Sequence, residues 1–422
     1  MFAELLFGLI TLLAFSFFGK QLLTIRKNIF IGKKVDIADE PASRWRNVFL
    51  LAFGQKKMFQ NPLVAILHLL VYVGFIIINI ELLEIIVDGI TGSHRAFAPY
   101  LGTYYDVIIN GFEILAALVL IACIVFFFRR NVIKLKRFIS NDLDGWPRSD
   151  ANYILITEIV LMCLFLTMNA ADTDAHFLIS SKLKPVFNNF SSAQLNSIEH
   201  SAWWIHILGI YAFMNYLPFS KHLHIILAFP NAYYAALTPK GQMHNMESVQ
   251  KEVLYAMQPE LAPANAPAPD QFGAKDVMDL SWKNLMDAYS CTECGRCSAA
   301  CPANITGKLL SPRKIMMSTR DRLEEVGKNI AKNKSFAVDG KSLLHDYIPV
   351  EAVRACTTCN ACVEACPVSI SPLDIIMELR RSLIMEESNA PAEWNGMFSN
   401  IENNFAPWKF SPDDRDAWTQ QA

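Results

Sequence analysis

Charge is scarce in this sequence. Of 422 residues, 18% are Asp, Glu, Lys or Arg and 52% are hydrophobic, too few ionic groups to clothe an ordinary soluble enzyme of this length. The formal net charge of −2 gives no reason to expect nucleic acid as a partner. Strand patterning is missing almost throughout, which excludes β-rich folds. No flavin or nucleotide fingerprint occurs, so primary substrate chemistry is expected to lie elsewhere. The first apolar run lacks a basic n-region and a small-x-small cleavage site, and so reads as an uncleaved anchor. Before residue 290 the only cysteines are Cys123 and Cys163, in apolar runs where cysteine is a small packing residue.

What is present is a series of long apolar segments. Five approach or span the roughly 30 Å of bilayer hydrocarbon at about 1.5 Å per residue, near residues 2–19, 62–87, 104–128, 151–169 and 201–228. Lys and Arg fall mainly in two alternate loops: Arg26 to Lys57 carries eight of them and Arg129 to Arg148 six, whereas the opposite loops hold Arg95, Lys182 and Lys184. This bias places the N-terminus outside and everything after the fifth segment in the cytoplasm. Residues 232–274 read as a linker, Ala/Pro-rich from 260. Residues 275–385 carry apolar positions at helical spacing, and 386–422 form a tail suited to docking a partner. The expected fold is mainly α, a five-helix transmembrane bundle over residues 1–231 followed by a cytoplasmic helical domain.

The remaining eight cysteines stand in two runs, CTECGRCSAACP and CTTCNACVEACP. Each reads C-x2-C-x2-C-x3-C-P, the spacing of two-cluster ferredoxins, in which three thiolates wrap one cubane and the fourth reaches the other cluster. On that pattern Cys291, Cys294, Cys297 and Cys366 hold one [4Fe-4S] cluster, and Cys301, Cys356, Cys359 and Cys362 hold the other. Paired zinc sites are the competing reading; four cysteines in a compact run before proline, twice, argue against it. Thiolate ligands also imply a reducing compartment, in agreement with the charge bias. The 54 residues between Cys301 and Cys356 suggest an insert in a helical two-cluster domain.

Ferredoxin joined to membrane helices suggests electrons moving between soluble carriers and the lipid phase, with haem b held by histidine pairs. His206 and His224 lie 18 residues apart, five turns of a continuous helix, which sets them on one face about 27 Å apart. His222 turns away from that face, and Pro218 is where such a helix would kink. Asn61-Pro62 caps the second segment and sets His68 near the depth of His224. Opposite His206 that segment offers Ile78, Asn79 and Glu81, so His94, His176 and His200 are the alternative partners. Taken singly, His94, His176 and His244 read as hydrogen-bonded structural residues. Glu113 and Glu158 are intramembrane carboxylates that either carry protons or quinone, or bond a neighbouring helix. Lys221 either snorkels or pairs with a haem propionate.

The stretches LHLLVYVGF and WWIHILGIYAFMNYLPFSKHLHII resemble the membrane subunit of respiratory nitrate reductases and, more closely, the cytochrome b part of heterodisulfide-reductase-like iron-sulfur oxidoreductases. DLSWKNLMDAYSCTECGRCSAACPANITGKLLSPRKI and NNFAPWKFSPDDRDAW resemble the helical ferredoxin part of the same family. The resemblance implies that His68, His206 and His224 bind haem b, one or two groups; the fourth position is Ile78, which leaves the outer haem without its expected ligand. It further implies quinone as the diffusible substrate. Larger relatives continue into CCG domains, so a separate CCG-domain or flavoprotein subunit is the expected partner. The resulting expectation is an electron-transfer subunit between the quinone pool and a cytoplasmic oxidoreductase. A haem-free anchor and a self-sufficient quinone oxidoreductase compete with it.

Overall fold

The computed structural model describes the chain apart from residues 173–176, 240–241, 243–244, 264–270, 410, 415 and 421–422. His176 and His244 therefore lie outside the described residues. The described residues are helical and contain no strand, only two isolated bridges. Four helices are long and apolar enough to cross a membrane: α1 (Phe2–Ile29), α2 (Pro62–Thr91), α3 (Thr103–Asn131) and α4 (Trp146–Ala171). After them come α5 (Ser192–Tyr216) and the short α6 (His224–Tyr233). Each of α1 to α5 packs against its neighbour in sequence, and α5 closes the ring against α1.

Local sequence explains where these helices start. The Asn61 side chain accepts from the Val64 N–H at 3.4 Å with Pro62 in the first turn, and Ser191 with Gln194 forms a capping box for α5. The apolar outer faces of α1, including Leu5, Leu9 and Leu12, stay exposed, as lipid-facing residues do. Close approach within the bundle depends on Gly74 of α2, where any Cβ would collide with Val119 Cγ2 of α3.

The expected continuous segment over 201–228 is corrected by the structure. α5 ends at Tyr216, two 3-10 turns cover Leu217–Phe219 and Lys221–Leu223, and α6 starts afresh at His224. Pro218 lacks the N–H that would continue the ladder and its ring collides with the preceding turn. Ser220 then takes extended backbone and its hydroxyl accepts from the His222 N–H at 3.1 Å. His206 and His224 therefore belong to different helices, and the shared face with its helical spacing does not apply.

α1 also differs from its expected length: it runs ten residues past position 19 and leaves the bundle. There Ile25 and Ile29 enter the core of the C-terminal domain, Asn28 Nδ2 donates to Tyr289 Oη at 2.9 Å, and Lys33 exchanges backbone hydrogen bonds with Leu280 and Trp282. That domain is built from α7 (Trp282–Ser290), α8 (Arg296–Ala300), α9 (Pro312–Asn333), α10 (Ala361–Ala365) and α11 (Pro372–Arg381). Helices α9 and α11 both open on a Ser-Pro pair whose serine accepts from the third residue on. The long insert between the cysteine runs contains α9 and a loop fastened by the fully buried Arg322, which bonds Asp276 and Asp339 at 2.6 Å each.

Candidate metal centres

The two cysteine runs fold alike. In the first, Glu293 and Gly295 take positive φ of 51° and 71°; in the second, Thr358 and Asn360 take 56° and 60°. These are the same two register positions, the last spacer of the first C-x2-C and the residue after the second cysteine. Left-handed residues here turn backbone N–H groups inward, the concave arrangement that suits anionic sulfur. The N–H of Thr358 reaches Cys356 Sγ and that of Ile370 reaches Cys366 Sγ, each at 3.4 Å.

Cys291, Cys294 and Cys297 line one cavity together with Cys366 of the other run. Burial pushes the thiols of Cys291 and Cys366 up to about 12 and about 11, and Cys294 raises both further. Cys362 is likewise lifted to about 12 by burial, with Cys356, Cys301 and Cys359 near enough to add to it. Neutral buried thiols become thiolates when a metal displaces their protons, so both groups suit a soft cation cluster. Cys359 is the exposed member.

The first cysteine loop is pressed against the membrane bundle. Lys221 Nζ donates to Glu293 Oε2 at 2.7 Å and to the Pro147 carbonyl at 2.5 Å, and lies 3.7 Å from Asp150. It joins the turn before His224 to the cysteine loop. Arg320 grips the other Glu293 oxygen at 2.9 Å. Those two cations hold the Glu293 carboxyl below the usual range although its burial works the other way. Lys57 donates to the Cys366 carbonyl at 3.1 Å. Arg313 reaches from α9 to Asp142 and to the Arg137 carbonyl, 2.7 Å away.

Three histidines meet at that side of the bundle. His68 Nδ1 bonds Gln55 Oε1 at 3.0 Å, and His224 Nδ1 bonds the Lys221 carbonyl at 3.0 Å. A carbonyl only accepts, so Nδ1 of His224 carries the proton and its Nε2 is the free lone pair, the tautomer a metal-ligating histidine requires. His222, expected to face elsewhere, has its ring 5.6 Å from that of His224 and packs against Phe213 at 5.4 Å. The break at Pro218 brings it there.

His206 stands apart from them, 3% exposed, in a small cavity bounded by α2, α3, α4 and α5. Ile78, Asn79 and Glu81 of α2 and Glu158 of α4 line it. His94 and His200 do not: His94 is exposed, 3.6 Å from Asp172 and 3.9 Å from Glu199. Glu113 accepts from Asn169 at 3.2 Å and from the Ile179 N–H at 2.8 Å, which makes it a helix-to-loop fastener. The sequence placed Glu81 at the depth of His206 but did not single it out as a site residue; its spacing from His68 carried the signal.

Comparison with known proteins agrees with the cysteine geometry. Residues 290–370 match the 4Fe-4S dicluster domain. Over 99% of its length the chain is 26% identical to a probable iron-sulfur-binding oxidoreductase, FadF, of Bacillus subtilis, covering 61% of that protein. It is 25% identical over 91% of its length to the EtfAB:quinone oxidoreductase of Syntrophomonas wolfei, covering 55%. One subunit of the ferredoxin/F(420)H(2)-dependent CoB-CoM heterodisulfide reductase of Methanosarcina acetivorans is 34% identical over 27% of the chain and 56% of that subunit. The chain thus spans 61% and 55% of the first two relatives. No solved structure matches. The dicluster domain and these relatives mark the chain as an iron-sulfur electron-transfer protein with membrane-type helices.

Proposed function

We propose that the chain is a membrane-bound electron-transfer subunit joining the quinone pool to a cytoplasmic oxidoreductase partner. Its carriers are haem b at His68 and His224 and two [4Fe-4S] clusters, with the N-terminus and outer loops outside and α5 as the fifth crossing. The observation that carries this reading is the Lys221–Glu293 bond of 2.7 Å, which sets the His224 turn directly against the first cysteine loop.

The residues fit the groups they would hold. Gln55 and the Lys221 carbonyl fix the ring orientation of His68 and His224 and leave each Nε2 for iron. Haem supplies one-electron redox chemistry within the hydrocarbon layer. Cys291, Cys294, Cys297 and Cys366 make the membrane-proximal cluster site; Cys301, Cys356, Cys359 and Cys362 make the distal one, with Cys359 exposed toward a partner. Glu293, gripped by Lys221 and Arg320, keeps that order rigid. One relative is named as a quinone oxidoreductase and another as one subunit of a larger reductase, which supports quinone and a separate flavin or CCG-type subunit as the two ends of the route.

Reduced-minus-oxidised spectra of the purified protein test this. A haem b α band lost in His68→Ala and in His224→Ala, with iron-sulfur absorption retained, is the expected result. Absence of the band from the unaltered protein, or its persistence in both variants, overturns the haem route and leaves an anchored ferredoxin.

A further inference from the structure

We infer that Arg296, supported by Arg137, makes the cluster held by Cys291, Cys294, Cys297 and Cys366 the easier of the two to reduce; this rests on the two-cluster electron route proposed above. The cysteine runs are alike in spacing and in their left-handed positions, so the charges that differ between them stand out. The residue after Gly295 is Arg296, and the residue at the same place in the second run, after Asn360, is Ala361. Conversely, Glu364 of the second run stands where the first has Ala299. The first run's own acid, Glu293, is already matched by Lys221 and Arg320.

Arg296 is half-buried and lines the cavity of the first site beside Cys291, Cys294 and Cys297. A second cation comes from the α3–α4 loop. The turn Lys136–Phe138 packs on α8 so closely that a Cβ at Gly295 would stand 3.2 Å from the Arg137 carbonyl. Arg137 is near enough to Cys294 and Arg296 to interact with both electrostatically. Its Nε is buried without a hydrogen-bond partner, and among the described residues no carboxylate pairs with either guanidinium. Arg313 lines the same cavity, but Asp142 matches its charge. At the distal site Arg380 donates to the Val353 and Cys356 carbonyls at 2.8 Å each, and Glu364 follows Cys362 by two residues.

Reduction by one electron adds a negative charge to a centre that is already anionic, with no bond made or broken and no proton taken up. Fixed cations nearby stabilise that charge, since cluster potentials follow local net charge and solvent exposure. Half-buried charges are also screened less than exposed ones. Solvent beside the exposed Cys359 works in the same sense for the distal cluster, but Cys301 and Cys362 are buried, so it reaches one side only. An electron handed to the distal site by a reduced flavin of the partner therefore runs downhill toward the bundle.

The test is a potentiometric titration of the full chain in detergent, with dithionite as reductant, followed by EPR of the reduced clusters. Two steps are expected, separated by at least a factor of ten in the reduction equilibrium, about 59 mV for one electron. Cys359→Ala, which removes a ligand of the distal site, should alter the lower step and spare the higher. Arg296→Gln should lower the higher step about threefold, about 28 mV by the same conversion, with iron content unchanged, and Arg296→Lys should restore most of it. Ala361→Arg, which sets a guanidinium at the matching place in the second run, should raise the lower step by a similar factor. Alteration of the higher step by Cys359→Ala, or equal shifts or no shift of the two steps in Arg296→Gln, overturns the inference. Should Arg296→Gln lose iron, Ala361→Arg decides alone, and an unmoved lower step is then a refutation. Absence of a haem band defeats the haem route proposed above while the two steps still judge Arg296; a chain that takes up no cluster defeats both.

Discussion

Replacing Arg313 by alanine should loosen the dicluster domain from the membrane bundle. Its side chain is 1% exposed and holds four groups at once: the Asp142 carboxylate, with Nε at 3.0 Å; the Ser140 hydroxyl; the Arg137 carbonyl at 2.7 Å; and the Glu293 carbonyl at 3.4 Å. Asp142 and Arg137 belong to the loop between α3 and α4, and Glu293 to the first cysteine loop, so one guanidinium clamps two parts of the molecule. Removing one partner of a buried ion pair leaves the other charge uncompensated and costs about 3–5 kcal/mol. Asp142 keeps some solvent access, with its side chain 12% exposed, which argues for the lower end, about 3 kcal/mol. That corresponds to a roughly hundredfold larger open fraction at about 1.4 kcal/mol per factor of ten. Cleavage of the purified protein between bundle and dicluster domain under limited proteolysis, with cluster absorption followed in parallel, reports that fraction. In a double-mutant cycle with Asp142→Asn the two losses should overlap strongly instead of adding. A change of under 1 kcal/mol for Arg313→Ala, or strict additivity, would refute the clamp.

The same contact carries a pH dependence: burial acts to raise the Asp142 carboxyl, but the hydrogen bonds from Arg313 and Ser140 and the guanidinium charge outweigh it and hold it below its ordinary value of 3.8. Its contribution is therefore complete above that value and lost as pH falls through the lower folded one, so proteolytic opening should rise below about pH 4 in the unaltered protein and stay flat in Asp142→Asn. Gly74→Val should weaken α2–α3 packing by about 1–3 kcal/mol, because even a Cβ would overlap Val119 Cγ2; thermal loss of helicity in detergent measures it. Asn360→Gly should leave the second cluster intact, whereas Asn360→Val should cost about 1–2 kcal/mol at that left-handed position and lower iron occupancy, read by iron per polypeptide. His222→Ala should leave the haem band in place where His224→Ala removes it; the reverse pattern would move the ligand by two residues.

The cysteine sites were legible because their chemistry is local: spacers of two and three residues leave a chain little choice of how to wrap four thiols, and both runs adopt the same left-handed positions. The caps at Asn61 and Ser191 are local in the same sense, although only the first has the Asn-Pro pair that makes it plain in the sequence. Hydropathy was a poorer guide to helix ends. It stopped α1 near residue 19, since Lys20, Arg26 and Lys27 follow, yet Ile25, Asn28 and Ile29 continue the helix into another domain's core. It also ran α5 through Pro218 as far as residue 228, because a window average registers apolarity and not a missing N–H. From that error came the misplacement of His222 and the shared face of His206 and His224. The contact of Lys221 depends on a partner 72 residues away, and Glu81 meets His206 only in a cavity between four helices; no spacing rule reaches that far.

α1 has a consequence for the rest of the chain. Its 28 residues amount to a strut of about 42 Å, with one end in the bundle beside Trp203 and Trp204 and the other locked to Tyr289, Lys33 just beyond it bonding Leu280 and Trp282. A domain braced in this way does not swing on a tether. Residues 245–263, which are largely exposed, are then free to lengthen, shorten or change composition without altering the separation between membrane histidines and cysteines. Insertions there should spare internal electron transfer, whereas a helix-breaking substitution near residue 22, remote from every metal ligand, should impair it.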